Sequence, residues 1–154
     1  MHKAFIPLLI MTLTLTAFGS CRKDTEEDKV RKVVAAVAEA AGEKEIKSML
    51  GQLSRIYRDP KGNNYDGIRN LLLFYFYRHQ RVSVFIARLD VTVTDRSARA
   101  QLQAVLSGAR TVESAKDLLP EALGIYDFDV TFMKEGDEWK ITSADWKRSG
   151  EGAP

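Results

Sequence analysis

The sequence predicts an α+β fold in which N-terminal helices pack on a strongly curved, cone-like antiparallel sheet. Apolar residues recur every three or four positions up to His79, and after His79 they alternate with polar ones. These two periods are typical of amphipathic helices and of half-buried strands. Helices followed by a meander of strands indicate the α+β class, with the helices on one face of the sheet.

Three helices are predicted before the period changes. The first has Thr25 and Asp28 at the spacing of an N-terminal capping pair and ends at Gly42. The second is expected over residues 43–57 and the third over 65–79, separated by the loop-forming stretch "RDPKGNNYDG". The apolar positions that define the three helices are Val30, Val33, Val34, Val37, Ala38 and Ala41, then Ile46, Met49, Leu50, Leu53, Ile56 and Tyr57, then Ile68, Leu71, Leu72, Tyr75 and Phe76.

Four strands are predicted after His79. The first is "RVSVFIARLDVTVT", the second alternates from Ala98 to Leu106, the third covers residues 125–134 and the last runs from Trp139 to Trp146. A long irregular connection, "SGARTVESAKDLLPEALG", joins the second strand to the third. Strict alternation in the first strand places Phe85, Ala87, Leu89, Val91 and Val93 on one face, and Val82, Val84, Ile86, Arg88, Asp90, Thr92 and Thr94 on the other.

Composition excludes several kinds of function. The chain has 154 residues, which suits one domain, and 23 basic residues balance 21 acidic ones, so nothing favours nucleic-acid binding. One cysteine and two histidines exclude an internal disulfide, a multi-cysteine zinc site and a histidine metal cluster. No stretch has the alternating acids of a calcium loop. We therefore expect no metal and no cofactor.

The first twenty residues have the organisation of a secretory signal peptide. His2 and Lys3 form a short basic start, and "AFIPLLIMTLTLTAF" is an apolar run too short and too rich in threonine for a confident membrane-spanning helix. A buried core helix and an uncleaved membrane anchor are the alternatives. Pro7 and the abrupt change to "CRKDTEEDK" count against the first, and the length of the run counts against the second.

The end of this segment, "AFGSC", resembles the lipobox of bacterial lipoproteins, although Phe18 stands where leucine is commonest. The resemblance implies cleavage before Cys21 and attachment of acyl chains to it, which would hold the protein stably on a membrane. Ordinary cleaved secretion is the alternative. By the same resemblance, Arg22 favours the outer membrane over the inner, so we expect a lipid-anchored protein of the cell envelope. Residues 21–25 would form a tether, 26–148 the domain and 149–154 a flexible tail.

The order of helices and strands resembles the nuclear transport factor 2-like superfamily, the cystatin-like cone that includes SnoaL-like domains. The resemblance covers about residues 26–148, and its most specific part is the closing hairpin "YDFDVTFMKEGDEWKITSADWKR". The sequence departs from many members of the superfamily, because it shows no clear short strand between the second and third helices. Because that superfamily contains enzymes, ligand binders and interaction modules, the resemblance implies a fold and no particular activity.

A ligand pocket is predicted on the side of the sheet that faces the helices. Small residues on the second strand leave room either for a cavity or for a sharply bent sheet. The residues expected to form the pocket are Tyr57, Ala98, Ala100, Ala104, Phe128 and Trp139.

Catalytic residues are only weakly indicated. His79 could act as a general base oriented by Asp90 or Asp127, but a histidine at a helix end, favourable to the helix dipole, accounts for it more simply. The pairs Arg88 with Asp90 and Asp127 with Asp129 could grip a polar ligand, although a solvated face with ion pairs is the commoner arrangement.

The functional hypothesis is therefore a non-catalytic binding module on a membrane-anchored lipoprotein, for a small apolar ligand or a protein. A small-substrate isomerase or hydrolase using His79 is the alternative. The aromatic third helix, "LLLFYFYRH", and the apolar start of the first strand could also form a homodimer surface, although core packing alone would account for them.

Overall fold

The computed structural model describes residues 23–79, 81–107 and 122–150. Its elements in chain order are helices α1 (Glu26–Glu43), α2 (Ile46–Gly51) and α3 (Tyr65–Arg78) and strands β1 (Ser83–Thr94), β2 (Ser97–Ser107), β3 (Ala122–Glu135) and β4 (Glu138–Arg148). The strands form one antiparallel sheet in the order β1-β2-β3-β4. The predicted α+β class is confirmed. The predictions for the signal peptide, Cys21, residues 108–121 of the long connection and the end of the tail fall outside the described residues. The last residues of the predicted connection, 122–124, already belong to β3.

Helix α1 begins as its capping pair predicts. The Asp28 backbone N–H donates to the Thr25 hydroxyl (3.1 Å), and the Thr25 N–H donates to the Asp28 carboxylate (3.0 Å). The helix ends at Glu43 rather than Gly42, because Lys44 adopts the left-handed conformation (φ 58°) that glycine usually supplies. From there the Lys44 ammonium donates to the carbonyls of Phe76 (3.2 Å) and His79. Lys44 therefore ties the end of α1 to the end of α3.

Helix α2 is much shorter than the predicted 43–57. The chain after Gly51 pairs instead with the edge of β4: the Ser54 N–H donates to the Ile141 carbonyl (2.8 Å), and the Ile141 N–H donates to the Gln52 carbonyl (2.9 Å). An edge strand offers unpaired backbone groups, and these compete with the helix for the same residues. The result is an isolated parallel bridge between Leu53 and Ile141, which provides in minimal form the short strand that the sequence did not reveal.

Strand β1 contains an irregularity that changes which side chains face the helices. Its register with β2 shifts between Ile86 and Arg88, so Ala87 is an extra residue in the ladder. Ile86 and Leu89 consequently lie on the same face, together with the core. The strict alternation predicted from the sequence is therefore wrong before the bulge. Val82, Val84 and Ile86 face the helices and do not form an outer apolar surface.

The main hydrophobic core lies between α1 and the sheet. Trp139 and Phe132 are enclosed there, and the first turn of α1 is fastened beside them, because Glu26 accepts hydrogen bonds from the Trp139 indole (2.8 Å) and the Lys134 ammonium (2.8 Å). Across the described ranges, no helix is both long and apolar enough to cross a membrane. The buried residues of this cluster are Val30, Val34, Tyr57, Ala98, Ala100, Val130, Phe132, Trp139 and Ile141.

Candidate functional site

An apolar cavity of about 400 Å³ lies between the helices and the inner face of the sheet. Helices α1 and α3 form one wall, and strands β1 to β4 form the other. Its described lining residues are Val34, Val37, Ala38, Ala41, Met49, Leu53, Tyr57, Ile68, Leu71, Leu72, Tyr75, Phe76, Val82, Val84, Ile86, Leu102, Ala104, Leu106, Tyr126, Phe128, Val130, Phe132, Ile141, Ala144 and Trp146.

The cavity exists because α3 does not pack closely on the sheet. Its inner residues Ile68, Leu72, Tyr75 and Phe76 are only half-buried, and no residue of α3 is buried. Opposite them the sheet presents Ala104, whose small side chain does not fill the gap. Large side chains on the helix and a small one on the sheet together leave a space of ligand size.

The described lining contains no Asp, Glu, His, Lys, Arg or Cys side chain. Its polar groups are the Trp146 indole and three phenol hydroxyls. Burial, and then the charge of nearby Asp59, raises the pKa of Tyr57 well above its ordinary value, and its hydroxyl donates to Asp59 (3.2 Å). Burial also raises the pKa of Tyr75. Both phenols are therefore protonated at neutral pH and cannot act as bases. The one O–H of Tyr57 is used by Asp59, so of these two phenols Tyr75 is the one that can donate to a ligand.

The predicted pocket residues divide into two groups. Tyr57, Ala104 and Phe128 line the cavity. Ala98, Ala100 and Trp139 do not, because at that end of the sheet α1 packs directly on them and leaves no space. The same strand, β2, thus has closely packed alanines at one end and the cavity alanine at the other.

His79 is not positioned for the catalytic role considered from the sequence. It caps the C-terminus of α3, its ring lies 4.6 Å from the ring of Tyr75, and it is not part of the cavity lining. Asp90 and Asp127 are on the outer face of the sheet, and the described hydrogen bonds and ion pairs join neither of them to His79. The His79–carboxylate pair is therefore not formed, because the sheet separates its members.

The outer face of the sheet carries a shallow polar cleft. Arg88 pairs with Asp90 (2.7 Å), and Arg99 pairs with Asp129. Hydrogen bonds from Ser149 and Gln103 lower the pKa of Asp127, and the Arg99 guanidinium lowers that of Asp129, so both carboxylates are ionised at neutral pH. This is a solvated face of exposed ion pairs, each of which contributes little to stability. Within the described residues, no group of three or more His, Cys, Asp or Glu could hold a metal ion.

Most of the sheet residues that line the cavity were not predicted from the sequence. Val84 and Ile86 were assigned to the other face, since no pattern in the sequence indicates a bulge at Ala87. Leu102, Leu106 and Tyr126 also line the cavity. Their inward alternation was visible in the sequence, but a cavity wall and a packed core have the same alternation.

By sequence, the chain matches no family profile and no curated protein. Many solved structures, among them the following three, are similar to it in fold. Bd1075 of Bdellovibrio bacteriovorus has a TM-score of 0.65 and 14% identity over 84% of this chain, which spans only 44% of Bd1075. A protein of unknown function with a cystatin-like fold from Nostoc punctiforme has a TM-score of 0.66 and 8% identity over 82% of this chain and 95% of its own.

The third structure is a candidate dehydratase of the NTF2-like family from Streptomyces avermitilis, with a TM-score of 0.67 and 13% identity over 82% of this chain and 98% of its own. The chain has the cystatin-like, NTF2-like fold. Identities this low establish that fold alone, since NTF2-like folds carry unrelated functions. The cone-like arrangement of helices on a curved sheet, which the closing hairpin indicated, is thereby confirmed.

Proposed function

We propose that the protein is a non-catalytic binding protein that holds a small apolar ligand in the cavity between α1, α3 and the sheet. One observation carries the proposal: the described lining has no side chain that is charged at neutral pH. The side chains that most often act as general bases or nucleophiles, which are His, Asp, Glu, Lys, Cys, Ser and Thr, are also absent from the described lining. Binding an apolar molecule needs only enclosed apolar surface and a few hydrogen-bond donors.

The size of the cavity supports a ligand and not merely a packing defect. About 400 Å³ falls in the range of small-molecule pockets and is far more than one water molecule occupies. The hydroxyl of Tyr126 and the indole of Trp146 are donors that could orient one polar end of the ligand. We therefore expect an apolar molecule that carries at most one or two polar atoms.

Filling the cavity tests the proposal. Ala104→Leu places a branched side chain in the space opposite α3, and we expect it to weaken binding of the neutral fluorophore N-phenyl-1-naphthylamine by at least about tenfold, or about 1.4 kcal/mol. Ala35→Leu makes the same change at an exposed position of α1 and should leave binding unaltered. Fluorescence titration of each full-length variant gives the dissociation constants.

Unchanged binding in Ala104→Leu, with the protein still folded by circular dichroism, would contradict the proposal. Native mass spectrometry of the protein purified from its own host provides an independent test. It should show an excess mass that organic extraction removes and that Ala104→Leu reduces.

An enzyme is the second function to consider, because at least two solved structures of this fold are named as candidate dehydratases. The residues that such an activity would need here, His79 with Asp90 or Asp127, do not meet, and none of the three lies among the described residues of the cavity lining. The binding function therefore has the stronger support.

We also propose that Cys21 carries the lipid that anchors the protein in the bacterial cell envelope, at the outer membrane by the argument from Arg22. The lipobox-like "AFGSC" supports this. Mass spectrometry of the protein from its host should show a chain that begins at Cys21 with added acyl mass, and Cys21→Ser should abolish that mass. A wild-type chain with a free thiol and no acyl mass would contradict the anchor.

A further inference from the structure

Helix α3 presents apolar side chains to solvent as well as to the cavity. Leu73, Phe74 and Tyr77 are 46%, 58% and 89% exposed. At 3.6 residues per turn, these three positions lie within an arc of about 100° on the outer side of the C-terminal half of the helix. The other side of the same helix lines the cavity. These three residues, which we term the α3 outer patch, remain uncovered by the described part of the chain.

Positive charges border the α3 outer patch on both sides. Arg69 and Arg78 occupy the two edges of its arc, and Arg81 follows just beyond the end of the helix; all three are exposed. None of them forms an ion pair with a described residue, and the Arg78 guanidinium lies 5.3 Å from the centre of the Phe74 ring. The one acidic residue of α3, Asp66, is in its first turn, about three turns from Tyr77.

The net charge of the segment around α3 is more positive than that of the whole chain. Residues 44–81 contain eight basic and three acidic side chains, a net charge of +5, whereas the whole chain has a net charge of +2. The rest of the chain is therefore net negative. The positive charge is concentrated in the segment of sequence that contains α2, α3 and the loop between them, and within it Lys61 is paired with Asp145. Such an asymmetry is expected where a protein meets an anionic surface.

We propose that α3 docks flat on an anionic lipid bilayer through the α3 outer patch. Leucine and aromatic side chains at the centre of a helix face, flanked by arginines, are the arrangement that inserts shallowly at the boundary between headgroups and acyl chains. The arginines can lay their methylene stems along the apolar surface while their charged ends contact lipid phosphates. This docking does not depend on a bound ligand, and it goes beyond the proposed binding function.

A second copy of the chain fits this surface less well than a bilayer does. Two such faces brought together would place Arg69, Arg78 and Arg81 of each copy against those of the other, and like charges oppose that contact. The patch also lies on the convex outer side of one half-helix, whereas the partner's side chains in a helix–protein contact are usually received by a groove. A bilayer surface supplies negative charge and apolar depth without requiring a groove.

Hydrogen–deuterium exchange of the full chain tests the docking. Because α3 has no buried residue, its amides should exchange readily in solution. Addition of vesicles containing one-third phosphatidylglycerol in phosphatidylcholine should slow exchange over residues 65–81 several-fold, and pure phosphatidylcholine vesicles should not. High salt should remove the effect, because it screens the arginine–phosphate attraction. The readout is local to α3, so attachment elsewhere in the chain does not mimic it.

Substitutions in α3 and β3 distinguish docking through the α3 outer patch from unspecific adsorption and from self-association. Replacement of Leu73, Phe74 and Tyr77 together by serine should abolish the slowing, while Ile125→Ser with Met133→Ser, at similarly exposed positions on β3, should not. Thermal melting confirms that each variant is folded. Slowing that survives in the triple variant would overturn the proposal, as would no slowing with either vesicle. Protection that appears without vesicles and rises with protein concentration would also overturn it, in favour of a second copy.

Discussion

Helices α1 and α3 lie against the same sheet and are packed in opposite ways. α1 is built mainly from valine and alanine on its inner side, and Val30, Val34, Ala40 and Ala41 are buried. α3 contains "LLLFYFY", a much more apolar run, yet it has no buried residue. The helix with the smaller side chains is therefore the better packed of the two.

The difference shows that burial depends on how closely two surfaces can approach, not on how apolar either one is. Val30 of α1 packs in one buried cluster with the small residues Ala98 and Ala100 of β2, so the backbones come close there and leave no space. Further along the helix, Val37 and Ala41 border the cavity. The leucines and aromatics of α3 hold that helix away from the sheet, and the cavity fills the gap. We therefore expect a binding site at the cavity beside α3, where the packing is incomplete.

The largest effect is expected on the free energy of unfolding, when the same substitution is made in the buried core and on α3. Phe132→Ala removes a ring that is fully enclosed although it also borders the cavity, and it should lower the free energy of unfolding by about 3–5 kcal/mol. Phe76→Ala removes a half-buried ring of α3 at the cavity and should cost only about 1–2 kcal/mol, because less surface returns to water. Chemical denaturation of both variants provides the measurement.

Equal losses from these two substitutions would contradict the difference between the two helices, since they would mean that α3 is packed as tightly as α1. A loss of stability in Phe76→Ala that becomes larger after addition of an apolar ligand would support it. Such a result would show that ligand completes the packing of α3, by adding stability that depends on its concentration.

A smaller effect on stability, seen only at acidic pH, is expected from the hydrogen bonds that hold the first turn of α1 to the sheet. Hydrogen bonds from Lys134, Lys29 and Trp139 lower the pKa of Glu26 from 4.5 to about 2. Because the folded pKa is below the ordinary one, ionised Glu26 stabilises the native state above pH 4.5, and this contribution is lost as the pH falls toward 2. Glu26→Gln should therefore flatten the dependence of stability on pH in that window.

Melting temperatures measured between pH 5 and pH 2 test this expectation. Glu27→Gln is the matched control, because Glu27 is the next residue, is exposed, and forms no ion pair with a described residue. An identical acid profile for Glu26→Gln and the wild-type protein would show that α1 is held by apolar packing alone. Some acid dependence should remain in every variant, because the pKa values of Asp129 and Asp145 are also lowered by their basic partners.

The secondary structure was largely predictable because its signals are local. The capping pair at Thr25, the limits of α3 and the four strands all lie close to their predicted positions. The prediction of α2 was wrong by about a turn and a half because backbone groups of Gln52, Ser54 and Arg58 bond to β4, more than eighty residues away along the chain. A helical period cannot reveal such a competitor, since the same apolar residues pack inward in either conformation.

The sequence predicted that a pocket lies on the inner face of the sheet, and it predicted only some of the residues that line it. Small residues on β2 correctly pointed to the inner face of the sheet, and Tyr57, Ala104 and Phe128 do line the cavity. Ala98 and Ala100 share the same pattern but are packed under α1, so sequence alone could not separate a filled position from an empty one. His79 lies on the opposite side of the sheet from Asp90 and Asp127. The sequence could not show this separation, because it depends on which face of the sheet each strand residue occupies.

Periodicity, capping and turn residues are enough to predict helices followed by an antiparallel sheet with one apolar face. These features depend on interactions between residues that are neighbours in sequence. The bulge at Ala87 in β1, which turns Val84 and Ile86 toward the helices, and the gap between α3 and the sheet depend on the tertiary structure. Register and distance between elements follow from side chains fitting together across the whole domain, and a cavity is the place where that fit is left open.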